Sequence, residues 1–468
     1  MNFTEALNKF NDIGSSVVFF NVLKPFGIAN IELPFVISVV LIGICYINIK
    51  TKFYGIRNLK QGFLALLKSQ LKGQGVSPLK AMFSAVAGAT GIGNTAGIAG
   101  LIAATNPGCV FWILIAAVLC NSFKFVEILL SHKFRDKSGN SVMGGPFRYI
   151  PLGLKEIGLP RLGKFLGSFY LFTLLLGAFG GPSILQSNQI AQIITGTFQI
   201  PSYSPAITLF VSFVVLFIIL GGTSRVVSFL SSVLPFLIAI LLTGFLLVIG
   251  VNFTKIPNAL SIIFHDAFSF SSASFGIFTF MILKTFQRIA LSTETTLGTT
   301  AILHSASKED DSVKEGTTGM VAPVVSGFLV AFMTALAVIV SGAHLQDTKG
   351  ILTVSYAFST VSKFLPYALT IAIPLMALNV IVAWSYYGVK ASEFAFGKIG
   401  KGIFIALYVF VVFLGGCVDD FDIVFKMTDV LNTSMAIPNV IAIMLMFNKV
   451  VLPMLDKKHK KNTKTKNR

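Results

Sequence analysis

Two polar interruptions of apolar sequence carry most of the chemistry this chain offers. "GATGIGNTAG", Gly88 to Gly97, sets four glycines, two threonines and an asparagine between apolar flanks. "ALSTETTLGTTA", Ala290 to Ala301, sets hydroxyls, Gly298 and the carboxylate of Glu294 inside a second apolar stretch. A helix broken at membrane depth releases backbone amides and carbonyls, which is tolerated only where they are buried in protein or line a polar cavity. Half-helix N-termini favour a carboxylate, and released carbonyls, being partially negative, favour Na⁺ or an ammonium group. A zwitterionic amino acid meets both demands. Thr90 and Asn94 add polar side chains at the first interruption, as Ser292 and Thr293 do at the second. Glycines alone would serve equally well in close helix packing. Their polar company, and the short hairpin at Pro107-Gly108, favour a binding site.

The elements that must position these groups are membrane helices. Of 468 residues, 54% are hydrophobic and 12% charged, with mean hydropathy +0.80. That excludes a soluble domain, which needs roughly twice the charge. Apolar runs of about 20 residues are long enough to cross roughly 30 Å of hydrocarbon. They fall near 33–50, 81–104, 107–131, 163–200, 205–221, 226–251, 274–304, 316–341, 366–388, 402–417 and 429–452, eleven spans in an all-α polytopic protein. The run 163–200 reads as one long tilted span; dividing it at Gly180-Gly181-Pro182 would put the basic stretch 49–80 and the basic tail on opposite sides of the membrane. The loop Lys50–Lys80 has seven Lys/Arg and no acid. The N-terminus is therefore expected outside and the C-terminus in the cytoplasm of a cell-membrane protein. No removable signal peptide is evident.

The organisation expected is an interfacial segment 1–32, one transmembrane domain 33–455 and a basic cytoplasmic tail 456–468. Spans two and seven, the interrupted ones, open two successive blocks of five, about 81–251 and 274–452. Five helices per block give opposite topologies, a five-plus-five inverted repeat with its site near the midplane, as in transporters built on discontinuous helices. The formal net charge of +18 sits in loops and tail without a nucleic-acid-binding motif. Anionic membrane lipid and topology account for it, and nucleic acid is not an expected partner. Cys45, Cys109, Cys120 and Cys417 lack paired spacing and read as packing residues. His265 and His304 stand without a ligand cluster, so no transition metal is expected.

At these residues the chain resembles the alanine/glycine:cation symporter family, the sodium:alanine symporters, over about residues 30 to 450. "GIGNTAG" at Gly91–Gly97, the Pro107–Trp112 segment, "KFVE" at Lys124–Glu127, "GGPFRYI" at Gly144–Ile150, "WSYYG" at Trp384–Gly388 and "MAIPN" at Met435–Asn439 match its ordered motifs. The resemblance implies a fold similar to that of the bacterial leucine transporter and sodium-coupled symport of alanine, glycine or close relatives into the cell by alternating access. It implies Na⁺ as coupling ion, no organic cofactor and no obligatory protein partner. It places substrate contacts at Thr90, Gly91, Gly93, Asn94, Gln186, Ser292, Thr293 and Trp384, the last as an aromatic wall limiting side-chain size. Without the resemblance, Gln186 would read as glue between helices and Trp384 as core.

Two departures bear on mechanism. Where the family usually reads N-E-A-G-L-G-S, this chain has "TETTLGT", Thr293–Thr299, which leaves substrate choice open. Where the family usually carries a Ser-Thr pair, this chain has Asn379-Val380, removing a hydroxyl that such sites offer to sodium. Hard cations need oxygen ligands. Asn379 or Ser385, with the carbonyls of Ala89 and Ile92, are the remaining candidates, and a proton-coupled symporter with altered substrate range is the alternative. Glu294 reads either as a proton carrier or as a carboxylate organising the break through a backbone amide or Arg288. Lys124 and Glu127, three apart near the cytoplasmic end of span three, read as a structural pair or as snorkelling side chains. An enzyme is not expected, because no nucleophile–base register or metal motif is visible. A channel needs a continuous pore, and a receptor would bind without moving solute; both are less favoured than a carrier.

Overall fold

The computed structural model describes residues 3–26, 33–67, 77–89, 91–138, 142–269, 275–348, 350–418 and 420–456. Among them secondary structure is helical, with only two isolated β-bridges, Asn21 to Pro34 and Asp136 to Met143. Thr90 and tail residues 457–468 lie outside the described residues, as do residues 1–2 and 27–32 of the N-terminal segment.

Seven helices are long and apolar enough to cross a bilayer alone, and an eighth span follows if the bent pair Pro78–Gly88 and Ile92–Ala104 counts as one. The other expected spans take different forms. Phe35–Lys50 is apolar but only 16 residues long. Phe275–Ser292 stops at the second interruption and resumes as Thr299–Ser305. The two runs expected at 366–388 and 402–417 form one continuous path, Pro366–Leu414, broken at Gly397, whose φ of 66° and ψ of −155° are not helical. Pro160–Gly180 and Pro182–Phe198 stay nearly collinear as one 39-residue element across a non-helical Gly181. At 1.5 Å per residue that is about 58 Å, nearly twice a hydrocarbon core of roughly 30 Å, so it tilts steeply or projects beyond the bilayer.

Proline opens both halves of this element, where its missing amide costs nothing. Asp311 caps Ser312–Gly319 by accepting from the amides of Val313 and Lys314. The N-terminal helix Phe3–Val18 docks along Phe421–Met446. There Asn11 Nδ2 donates to the Ile423 carbonyl at 2.8 Å, and a Cβ on Gly14 would lie 2.6 Å from Val430 Cγ1. Phe10, Ile13 and Val17 stay exposed on its outer side.

Polar groups bind the far half of the second interrupted helix to Cys109–Lys133. Ser131 Oγ donates to the Ala301 carbonyl at 2.7 Å, and Arg135 donates to the carbonyls of Ser305, Ser307 and Glu309. His304 and Glu315, both fully buried, meet at 2.6 Å. These helix ends therefore move together or not at all, which gives the interrupted helix a rigid neighbour.

Candidate functional site

The first interruption is a sharp bend. Helix Pro78–Ala89 ends there, a single turn Ile92–Asn94 follows, and Ala96–Ala104 departs, the two halves being inclined by 71°. Its glycines are there for different reasons. A Cβ on Gly91 would come within 2.6 Å of Val380 Cγ2 and 3.0 Å of Gln186 Nε2, so only glycine lets the backbone approach so closely. A Cβ on Gly93 would meet nothing within 4 Å. Gln186 Oε1 accepts from the Ile92 amide at 3.5 Å, and Asn94 Nδ2 donates to the Ser292 carbonyl at 3.2 Å and to Ser326 Oγ at 2.9 Å. Asn94 thus joins the first interruption to the last residue of the helix that precedes the second.

The second interruption holds an unusual backbone. Glu294, Thr296 and Gly298 have φ of 49°, 73° and 72°, a left-handed region that side-chain-bearing residues seldom adopt. Neighbouring helices brace it by supplying donors to three of its carbonyls. Lys124 Nζ donates to the Glu294 carbonyl at 2.7 Å and to Thr300 Oγ1. Asn439 Nδ2 donates to the Thr296 carbonyl at 2.7 Å, and the Tyr170 hydroxyl to that of Leu297 at 2.6 Å. Asn439 is held in turn by the Tyr149 hydroxyl at 2.5 Å and donates to Glu127 Oε1 at 2.8 Å. The carbonyls of Glu294, Thr296 and Leu297 are thus taken by protein donors, one of them the ammonium of Lys124. Lys124 and Glu127 are also no snorkelling pair, because both are 0% exposed.

Glu294 faces Trp384 rather than Arg288. Trp384 Nε1 donates to Glu294 Oε1 at 2.8 Å, and Thr299 Oγ1 to Oε2 at 2.5 Å. Arg288 instead pairs with Asp429 at 3.5 Å, its guanidinium 4.6 Å from the Phe425 ring centre.

Gly91, Gly93, Gln186, Ser292 and Trp384, from four separate stretches of sequence, line one cavity of about 60 Å³, together with Glu294, Val380 and Asn432. Asn94 and Thr293 do not line it; Thr293 Oγ1 turns back to the Ile289 carbonyl and to Thr295. A second cavity of about 430 Å³ lies beyond, and Arg288, Phe425 and Asp429 line both, forming the partition between them. Because Gly93 faces open space, Gly93→Ala is expected to fold normally while its methyl narrows the small cavity. Competition uptake should then show alanine losing ground to glycine, by about tenfold if a site sized for one methyl must exclude it at roughly 1–3 kcal/mol.

The four candidate cation ligands are not gathered at one point. Ala89 ends the first half-helix, and the Ile92 carbonyl accepts from both the amide and the hydroxyl of Thr95. Ser385 Oγ donates to the Val382 carbonyl at 2.6 Å. Six residues along a helix place Ser385 about 9 Å and about 120° from Asn379, too far for one ion to hold both. Asn379 is buried with neither amide atom hydrogen-bonded, on the face shared with Ala383, which abuts Gly88.

Arg288, Asp429 and Asn432 went unselected as site residues, although charge at membrane depth is itself a pointer to function. The sequence signal for Asn439 was its place in "MAIPN"; Tyr149 lay in "GGPFRYI", and Tyr170 carried none.

Paired interrupted helices around a small central cavity, in an all-helical membrane chain, define a multi-pass transporter. The same fold is present in the crystal structure of MhsT in complex with L-phenylalanine, at 14% sequence identity and a TM-score of 0.58, over 81% of this chain and 90% of that one. The chain belongs to the sodium:alanine symporter family, whose model matches residues 20–468. It is 29% identical to the sodium/alanine symporter AgcS of Methanococcus maripaludis, over 80% of this chain and 83% of that protein. It is 30% identical to an uncharacterized transporter of Haemophilus influenzae, over 85% and 87% of the two chains. The probable sodium/glutamine symporter GlnT of Bacillus subtilis is 28% identical over 92% of this chain and 89% of its own.

Proposed function

We propose that this protein imports small neutral amino acids, alanine and glycine first, together with sodium, by alternating access between the two faces of a cell membrane. The observation that carries the reading is the convergence of both interruptions, Gln186 and Trp384 on one small cavity. At roughly 10–15 Å³ per water-sized position, about 60 Å³ holds on the order of five such groups, close to the heavy-atom content of alanine and too little for an aromatic amino acid. The half-helix Ala96–Ala104 follows Gly93 of the small cavity's wall and opens with Ala96 and Gly97 in the wall of the larger one, and a helix N-terminus suits the substrate carboxylate. The larger cavity, bounded by Ala104 and Gly350, faces outward in the expected orientation, with Arg288, Phe425 and Asp429 closing the path to the site. The C-terminus and the basic stretch 49–80 then lie in the cytoplasm, where the inner leaflet is anionic.

Sodium binding is assigned to the first interruption, beside which Asn379 is buried with neither amide atom hydrogen-bonded. Relatives named as sodium/alanine and probable sodium/glutamine symporters support the same ion. Proton coupling through Glu294 is the second reading, since this buried carboxyl lines the small cavity and meets Trp384 and Thr299 through its two oxygens. Labelled alanine taken up by proteoliposomes under an inward sodium gradient, and not under an equal choline gradient, is the expected result. Uptake driven equally by a pH gradient without sodium would replace this reading with the proton-coupled one.

A further inference from the structure

We propose that Lys124 is a tethered cation that takes the place of a mobile ion at the second interruption, leaving this protein a single exchangeable cation site, at the first. The ammonium sits fully buried against the Glu294 carbonyl at 2.7 Å, the Thr300 hydroxyl, and the Glu127 carboxylate at 4.0 Å. A carbonyl, a hydroxyl and a carboxylate around one point form an oxygen set suited to a hard cation. An unpaired carboxylate buried at this depth is costly, and a positive charge beside it offsets that cost. Lys124 supplies it covalently, from a helix that Ser131 and Arg135 fasten to the far half of the interrupted helix. It therefore neither dissociates nor equilibrates with either side of the membrane. Two further carbonyls of the interruption, those of Thr296 and Leu297, are held by neutral donors, Asn439 and Tyr170.

The consequence reaches the substrate site. Glu294 carries its backbone carbonyl to Lys124 and its carboxylate to Trp384, so the ammonium fixes the residue that orients the cavity's aromatic wall. Lys124 is on this account a positioning residue. A mobile ion at such a place would contribute to coupling, whereas the charge of Lys124 is constant and adds nothing to stoichiometry. The inference rests on the reading of the chain as a cation-coupled symporter, and its test is arranged to stand apart from that reading.

The test is equilibrium binding of labelled sodium to the purified full-length protein with saturating alanine, for the wild type, Lys124→Gln, and the charge-balanced Lys124→Gln/Glu127→Gln. The wild type is expected to bind one sodium ion, Lys124→Gln one more than the wild type, and the double variant to fall back to the wild-type number. In uptake, the Hill coefficient for sodium is expected to rise from about 1 to about 2 in Lys124→Gln. Two ions bound by the wild type would overturn the inference, as would a folded Lys124→Gln with no gain. Failure of Lys124→Gln to fold in high sodium would also overturn it, since sodium should then replace the ammonium. A wild type that binds no sodium contradicts the proposed coupling alone, while the gain or absence of a site in Lys124→Gln still decides the role of the lysine.

Discussion

Gly91→Ala is expected to abolish amino-acid uptake in a protein that still reaches the membrane. The added methyl would have to displace Val380 Cγ2, 2.6 Å away, and Gln186 Nε2, 3.0 Å away, in a wall with no free space on that side. Overpacking of this kind costs roughly 1–3 kcal/mol, which a large membrane domain survives. The displaced groups, however, line the cavity, and about 60 Å³ leaves little room for the shift. Uptake of labelled alanine, paired with surface quantification of the variant, measures the effect. Transport within about twofold of wild type would mean that the first interruption tolerates backbone movement and is not the substrate wall. The contrast with Gly93→Ala is informative, since two glycines in one motif are predicted to act through opposite causes, contact at one and open space at the other.

Gln186→Ala is expected to weaken alanine binding by about tenfold or more. Its amide oxygen receives the Ile92 amide and its amide nitrogen lies against Gly91, so it holds the interruption in place from across the cavity. From this place on the cavity wall the side chain can also hydrogen-bond a charged group of the substrate, a bond worth about 1.5–3 kcal/mol, and each 1.4 kcal/mol is tenfold in affinity. The variant's Kd for alanine, measured by calorimetry, and its thermal stability separate the outcomes. Unchanged affinity in a stable variant would assign Gln186 to helix packing.

How much of this was legible in the sequence follows from the range of the interactions. The two interruptions announce themselves locally, because glycine and hydroxyl residues inside apolar runs are a composition signal. The helix ends at Cys109–Lys133 and Gly222–Val251 follow closely from hydropathy for the same reason. The division of 366–388 from 402–417 was legible in the same way, and the break at Gly397 falls in the gap between them. The scaffold around the second interruption was not legible. Lys124 reaches Glu294 across 170 residues, Tyr149 reaches Asn439 across 290, and Asn439 reaches Thr296 across 143. Charge three residues from opposite charge suggested the local pair that forms at 4.0 Å, but gave no sign of the distant carbonyl that the lysine also reaches. The pairing of Arg288 with Asp429 was likewise decided by packing of helices far apart in sequence.

Asn379-Val380 illustrates a sequence departure that geometry redefines. Val380 touches the position where Gly91 would carry a side chain, and Asn379 lies around the helix on the face that meets Gly88 through Ala383. The hydroxyl missing at 380 is therefore missing beside the first interruption itself, while Ser385 lies on another face.

The central claim is that sodium and a small amino acid bind together at the first interruption. Coupling requires that the ion bind the substrate-loaded state better than the empty one, and the same factor must appear in the affinity of either ligand. The direct measurement is the Kd of the purified protein for alanine in sodium chloride and in choline chloride at equal ionic strength. The account predicts that sodium tightens alanine binding by roughly 5–150-fold, the usual range for a coupling free energy. Equal affinity in the two salts would contradict it.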